Sequence, residues 1–288
     1  IRDVAVTGVQ TCALPISHSS VSLVPPVTYQ GGKQRVAEQI LDHMDFSETD
    51  TFVDVCCGSG AISLALLNRG YRPTDITMID AGPWGAVWAS IGAGTFSMTE
   101  FCDWINRVPT DPERIQGFLK ELSQSPETVG NVYVFLLLQA GSFGGKAIWV
   151  GDNAWKNITF RNYWKPTQTS NRQSVVNPMM PMPKTMYERM APIIDRAGGV
   201  RGIHGDAIAV NISNTSLVYI DPPYTKTTKY GHTLDVNVMS KRGRRCYVSE
   251  GRPLSDKNVL ISSDRKKGGI SGERKVAHVE YLSCMERN

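Results

Sequence analysis

No stretch of the sequence holds the roughly 18 uninterrupted apolar residues that a membrane helix needs. The best candidate, residues 132–140, is half that length. Cysteine is sparse. There are six in 288 residues, Cys56 and Cys57 are adjacent, and no pair has zinc-ligand spacing. That excludes a disulfide scaffold and a structural zinc site, and the plain reading is reduced thiols in a cytoplasmic protein. His204 and His232 have no partners at metal-ligand spacing, so no metal site is expected. A Gly-Lys-Ser/Thr tripeptide is missing as well, which removes the P-loop. Charged residues make up 20% and apolar residues 41%, a balance that supports a packed core and excludes wholesale disorder. The length suits one large α/β domain, or one domain carrying an insert, and is too short for several units.

The net charge of +4 hides an asymmetry. From Thr225 onward the chain carries 14 Lys and Arg against 7 Asp and Glu, so the first 224 residues are net acidic. A basic last quarter suits a polyanionic partner, although on charge alone a solvated surface is the simpler reading.

Residues 1–16 show neither helical nor strand periodicity and lack the charge and apolar run of a signal peptide. Residues 6–16, VTGVQTCALPI, resemble the conceptual translation of a sequencing-library adapter. Residues 1–22 are therefore set aside as a leader, artefactual or disordered. Beyond them, periodicity predicts a helix over 33–44, a strand over 51–55, a Gly-rich turn over 57–60, a helix over 61–68 and a strand over 76–79 ending at Asp80. Strand, turn, helix, strand is the βαβ unit of a parallel sheet. Helical pieces and then a Trp-rich basic stretch fill 98–185, read as an insert, and its PMMPMP end at 178–183 reads as an irregular linker. Strands return over 200–204 and 217–220, then near 246–249, with a hairpin pairing 259–262 and 276–282.

The strongest chemical signal is Asp221-Pro222-Pro223-Tyr224, directly after the apolar strand 217–220. The carboxyl ends of such strands are where α/β sheets bind ligands. An exocyclic amine on a purine is a poor nucleophile because its lone pair is delocalised. Asp221 and the Pro222 carbonyl would accept its two N–H bonds and free that pair. The two prolines stiffen the carbonyl's orientation, and Tyr224 offers a π-face to a base taken out of the stack. The second signal is DVCCGSG at 54–60, with Asp80 at the end of the next strand. Its glycines permit close backbone approach at a helix N-terminus, and Asp80 is placed for ribose hydroxyls. Ser63 stands where a dinucleotide site would have its third glycine. Cys56 and Cys57 read as packed residues, since an amine that attacks a methyl group directly needs no thiol. Taken singly, Tyr29, Lys33, Asp54 and Asp206 read as structural; their ordered co-occurrence with the two motifs reverses that.

YQGGK at 29–33, DVCCGSG, Asp80, Gly205-Asp206 and DPPY, in that order, resemble the phage and bacterial DNA adenine-N6 methyltransferases. Residues 136–166 and Val248-Ser249-Glu250 are similar to the phage-type members. The resemblance implies a Rossmann-like class I methyltransferase fold with a mixed, mostly parallel seven-stranded sheet. The catalytic domain would span 23–97 and 186–288, with 98–185 as an inserted target-recognition subdomain. It implies that S-adenosylmethionine meets Tyr29, Gly31, Gly32, Lys33, Asp54, Gly58, Gly60 and Asp221 toward its methionine end. Asp80 would hold its ribose and Asp206 would lie near its adenine. Asp221, Pro222, Pro223 and Tyr224 would be the catalytic residues. The chain departs from the family pattern at Cys56, where an aromatic residue is usual, and at Tyr29, where Trp or Phe is common.

The implied partner is double-stranded DNA, contacted by Lys146, Lys156, Arg161 and Lys165 and by the basic C-terminal segment, in a monomeric cytoplasmic enzyme with a cognate restriction endonuclease as a further partner. The amine chemistry leaves cytosine N4 or an RNA base open as targets. An inactive nucleic-acid-binding homologue is the competing class, disfavoured because Asp221 and the glycines are present.

Overall fold

The computed structural model describes residues 21–47, 50–223, 232–266 and 277–285. Apart from Val21 and Ser22, the expected leader lies outside the described residues. Those two are already tied to the domain: Arg196 donates to the Val21 carbonyl at 2.7 Å and Asn68 to Ser22 Oγ at 3.2 Å.

In chain order the strands are β1 (Phe52–Val55), β2 (Ile76–Asp80), β3 (Trp149–Gly151), β4 (Ala154–Lys156), β5 (Arg201–His204), β6 (Leu217–Ile220), β7 (Arg245–Glu250), β8 (Asn258–Lys266) and β9 (Ala277–Met285). Seven of them form one sheet in the order β5-β2-β1-β6-β7-β9-β8. The neighbours from β5 to β7 are parallel, and β9 runs antiparallel between β7 and β8. β1 and β6 are buried along their whole lengths, as continuous apolar runs are in a parallel sheet covered on both faces. β3 and β4 make a separate two-stranded ribbon.

The helices are α1 (Ala37–Asp42), α2 (Ala61–Asn68), α3 (Pro83–Gly92), α4 (Met98–Asn106), α5 (Pro112–Gln124), α6 (Val132–Gly141), α7 (Pro183–Ala197) and α8 (Val236–Met239). Their starts follow capping chemistry. Ser97 accepts from the Glu100 amide, Asp111 from Glu113, and Asn131 from Tyr133 and Val134, each satisfying amides that the first helical turn leaves open. α6, VYVFLLLQAG, is apolar all round because it is enclosed by α3, α4 and α5. None of the described helices is long and apolar enough to cross a membrane.

Three features differ from the sequence reading. The first helix begins at Ala37, and residues 33–36 form a turn that aims Lys33 inward. The irregular linker ends one residue early: Pro183 is the first residue of α7, a position where a missing N–H costs nothing. The helical half of the 98–185 segment has no core of its own. Phe101, Ile115, Leu119 and Leu136 share one cluster with Trp84 and Trp88 of α3.

α3 lies unusually close to β5. A Cβ on Gly202 would come within 2.2 Å of the Ala89 nitrogen and the Trp88 carbonyl carbon, both backbone atoms that cannot step aside. Gly202→Ala is expected to destabilise the fold by roughly 1–3 kcal/mol or more through overpacking, measured as a lowered melting temperature; an unchanged one would show that α3 can move off the sheet.

Candidate active site

The sheet reverses its winding at β1, whose neighbours β2 and β6 lie to either side. Ligands in open α/β sheets bind at such a switch point, beyond the carboxyl ends of the strands. Here Val55 is in register with Ile79 and Ile220. The Asp221 amide donates to the Val55 carbonyl at 3.2 Å and the Cys57 amide to Ile79 at 3.1 Å. The Gly-rich turn and the Asp221 segment therefore leave the sheet side by side. Between them opens a cleft lined in part by Tyr29, Gly31, Gly32, Lys33, Asp54, Cys56, Gly58, Tyr219 and Asp221.

Charge in the cleft is concentrated on a buried cation and its partners. Lys33 is 6% exposed, and its Nζ lies 2.6 Å from Asp221 Oδ1, 3.5 Å from Glu280 Oε1 and 3.1 Å from the Gly31 carbonyl. Burial alone would lower the Lys33 pKa, but the attraction of Asp221 and Glu280 raises it, so the ammonium stays charged. Burial pushes Asp221 up to about 6, against the pull of Lys33. Asp54 is 1% exposed and burial lifts it to about 7, with the Ser63 hydroxyl, donating at 2.7 Å, working against that rise. Ser63, the residue in place of a third glycine, is thus the hydroxyl that satisfies Asp54. The Cys56 and Cys57 thiols are raised by burial and by the surrounding carboxylates, which keeps them protonated, as expected of packed cysteines.

Asp80 sits behind the turn and braces it. Its Oδ2 accepts from the Gly58 amide at 3.0 Å and its Oδ1 from the Gly82 amide at 2.7 Å. Its pKa is raised, since burial outweighs those two hydrogen bonds. The turn needs left-handed backbone at Cys56, Gly58 and Gly60, with φ of 59°, 49° and 76°. That is natural for glycine and strained for cysteine. Tyr29 covers the turn so closely that a Cβ on Gly58 would come 2.6 Å from its ring. Gly60 caps α2 beneath Trp88. Asp206 caps the turn after β5, accepting from the Ile208 amide at 2.9 Å. Pro222 is buried and Pro223 half-buried beside Asp221; Tyr224 lies outside the described residues.

The basic residues of the insert separate by environment. Lys156 faces Asp152 at 3.7 Å, and Lys165 pairs with Glu113 at 3.3 Å while lying over the Tyr163 ring. Lys146 is half-buried. Arg161 is also half-buried, with its pKa lowered by desolvation and a buried Nη1 that has no hydrogen-bond partner among the described residues. Of the tryptophans, Trp155 is core, stacked on Phe135 and bonded to Thr128, whereas Trp164 is exposed. The fully buried Gln139 of α6 ties this segment to the cleft. Its amide nitrogen is shared among the carbonyls of Thr28, Gly145 and Lys146.

A mostly parallel seven-stranded sheet with one antiparallel strand near its edge, and a Gly-rich turn at its switch point, is the architecture of a Rossmann-like methyltransferase. The model of the D12 class N6 adenine-specific DNA methyltransferase family matches residues 29–77, so this stretch is similar to that family. The matched stretch holds Tyr29 to Lys33 and the Gly-rich turn and ends before Asp80. No curated protein matches the chain.

Tyr219 of the cleft and Glu280 beside Lys33 belong to none of the motifs read in the sequence. Tyr219 lay inside an apolar strand and drew no notice. Glu280 is 4% exposed on β9, two residues before the buried Leu282, so an acidic residue on the apolar phase of a strand was the signal.

Asp54 sets a pH dependence of stability. Its folded pKa, about 7, lies above the carboxylate range of an unfolded chain. The folded state therefore retains a proton that the unfolded state releases, and its contribution is complete in acid and lost as pH rises through about 7. Asp54→Asn, which can still accept from Ser63, should flatten the fall in melting temperature between about pH 4 and 7. A slope identical to the parent's would remove the raised carboxyl from the account.

Proposed function

We propose that the chain methylates adenine N6 in double-stranded DNA with S-adenosylmethionine as methyl donor, acting on a base extruded into the cleft. The observation that carries this reading is the pairing of β1 with β6, which sets Asp221 beside the Gly-rich turn. The residues present fit the cofactor. Asp54 and Asp221, which line the cleft, suit a cationic sulfonium and ammonium. At Gly32, a Cβ would stand between the Tyr29 carbonyl, 3.1 Å away, and Ser59, which keeps backbone open to a ligand. When bound, the cofactor supplies a methyl group activated by its sulfonium. Gly31, Gly32, Gly58, Gly60 and Tyr29 would shape its site, Asp54 would lie at its methionine end, Asp80 would hold its ribose, and Asp206 would border its adenine. Lys33 would orient this end of the site through Asp221.

The chain's own part in the reaction is to prepare the amine. Asp221 and the Pro222 carbonyl accept its two N–H bonds, draw the nitrogen toward tetrahedral geometry and free its lone pair to form the new N–C bond. Asp221 stabilises the positive charge that develops on nitrogen until one N–H proton passes to water. Pro223 stiffens the segment and Tyr224 stacks on the extruded base. The 98–185 segment and the basic C-terminal segment hold the DNA, with Lys146, Lys156, Arg161 and Lys165 on phosphates and the exposed Trp164 beside bases. The protein acts as a monomer on a specific DNA sequence in the cytoplasm.

Asp221→Ala is expected to abolish methyl transfer to DNA from labelled cofactor in a protein that still folds, with a lowered melting temperature because the buried Lys33 loses its nearest counter-ion. The loss is of the order of several kcal/mol in the transition state, and Asp221→Asn, keeping one acceptor oxygen, should be partly active. A folded Asp221→Ala protein that methylates adenine at the parent rate would sink the reading. Lys156→Glu combined with Arg161→Gln should weaken DNA binding and reduce the slope of log affinity against log salt by about 0.9 for each phosphate deprived of its cation. An unaltered slope would leave the insert as scaffold.

A further inference from the structure

We propose that Glu280, on the antiparallel strand β9, is a positioning residue for methyl transfer: acting through Lys33, it fixes the carboxylate of Asp221 against the target amine. The inference rests on the reading of Asp221 as the group that meets the amine.

The geometry joins three distant parts of the chain. Lys33 stands in the turn before α1, Asp221 follows β6, and Glu280 lies on β9, two strands further along the sheet. A lysine ammonium has three N–H donors and no acceptor. Here three oxygens surround Nζ: Asp221 Oδ1 at 2.6 Å, the Gly31 carbonyl at 3.1 Å and Glu280 Oε1 at 3.5 Å. An ammonium held on three sides cannot swivel, so the oxygen of Asp221 that it grips is fixed. Among the described residues Lys33 takes only Oδ1 of Asp221, so Oδ2 is the oxygen the proposal assigns to the substrate.

Electrostatics adds a second reason. Were Asp221 the sole counter-ion of Lys33, the buried ammonium would cancel most of the charge that the amine needs as its nitrogen turns cationic. Glu280 shares the ammonium, so two carboxylates face one cation. Burying a further anion is costly, and a strand position in phase with Leu282 would ordinarily be apolar. Other charged or titratable groups face Asp221 as well: Glu250 from the end of β7, Asp54 from β1, Cys56 from the Gly-rich turn and Tyr219 from β6. Glu280 alone among these carboxylates lies within salt-bridge distance of Lys33.

The test is steady-state methylation by the full chain across pH, with cofactor affinity from calorimetry and melting temperatures alongside. Glu280→Gln should lower kcat roughly 10–100-fold, the scale of a misplaced reacting group, while cofactor affinity and the KM for DNA stay within about twofold, as expected when ground-state binding is untouched. The acid limb of kcat should move to lower pH, because a like charge beside Asp221 is gone and Lys33 is released to it. Glu280→Asp, which keeps the charge but withdraws it by one methylene, should lose less and leave the limb near the parent's. Parental kcat with an unmoved limb in Glu280→Gln overturns the inference; should that variant fail to fold, parental kcat in Glu280→Asp overturns it instead. Loss of melting temperature with kcat intact also overturns it, since that marks a structural ion cluster. Asp221→Ala is run in parallel. If it stays active, the reading beneath the proposal falls; if it is dead while Glu280→Gln is parental, only the role of Glu280 falls.

Discussion

The register between β1 and β6 is the constraint on which the rest of the site depends. One backbone hydrogen bond, from the Asp221 amide to the Val55 carbonyl, fixes where two loops begin. The Gly-rich turn and the Asp221 segment are more than 160 residues apart in sequence, yet strand pairing leaves them no freedom to drift. Both strands are buried on both faces, so a slip of one residue would exchange the two faces of each strand and is strongly disfavoured. Asp80 extends the same constraint sideways: from the end of β2 it holds the Gly58 amide, so three adjacent strands define the turn.

Placing carboxylates at the end of a buried sheet has a cost, and the structure meets it unevenly. Asp80 is served by two backbone amides and Asp54 by one hydroxyl; Asp221 has a buried ammonium. All three nevertheless have raised pKa values, because burial outweighs the compensation. A site poised this way favours a cationic guest, since each carboxylate regains on binding part of what it lost on leaving water.

Much of this was legible in the sequence, and the reasons divide cleanly. Apolar runs such as FVDV and LVYI, bounded by turn residues, give parallel strands, and β1, α2, β2, β6 and the β8–β9 hairpin lie close to where periodicity put them. The Gly-rich turn and Asp221 were readable because their chemistry is local. What escaped was relational. Lys33 was expected on the cofactor, and its place against Asp221 depends on a turn delaying α1 until Ala37. Glu280 is one letter in an alternating strand, and its meaning comes from an ammonium 247 positions away. The helices of the 98–185 segment looked separable because their sequence changes character, but amphipathic α4 and α5 and the wholly apolar α6 could be buried only against α3 and each other.

Gln139 bears on how such a protein could be re-engineered. Its side-chain nitrogen is divided among three carbonyls, one beside the cleft at Thr28 and two at the start of the Trp-rich segment, Gly145 and Lys146. Those hydrogen bonds read backbone rather than side chains, so the joint is indifferent to the identity of the residues it holds and strict about their path. A foreign segment grafted between 147 and 177 would leave all three carbonyls in place. A graft whose upstream junction fell before 145 would have to reproduce the backbone path at 145 and 146 to keep two of the three hydrogen bonds.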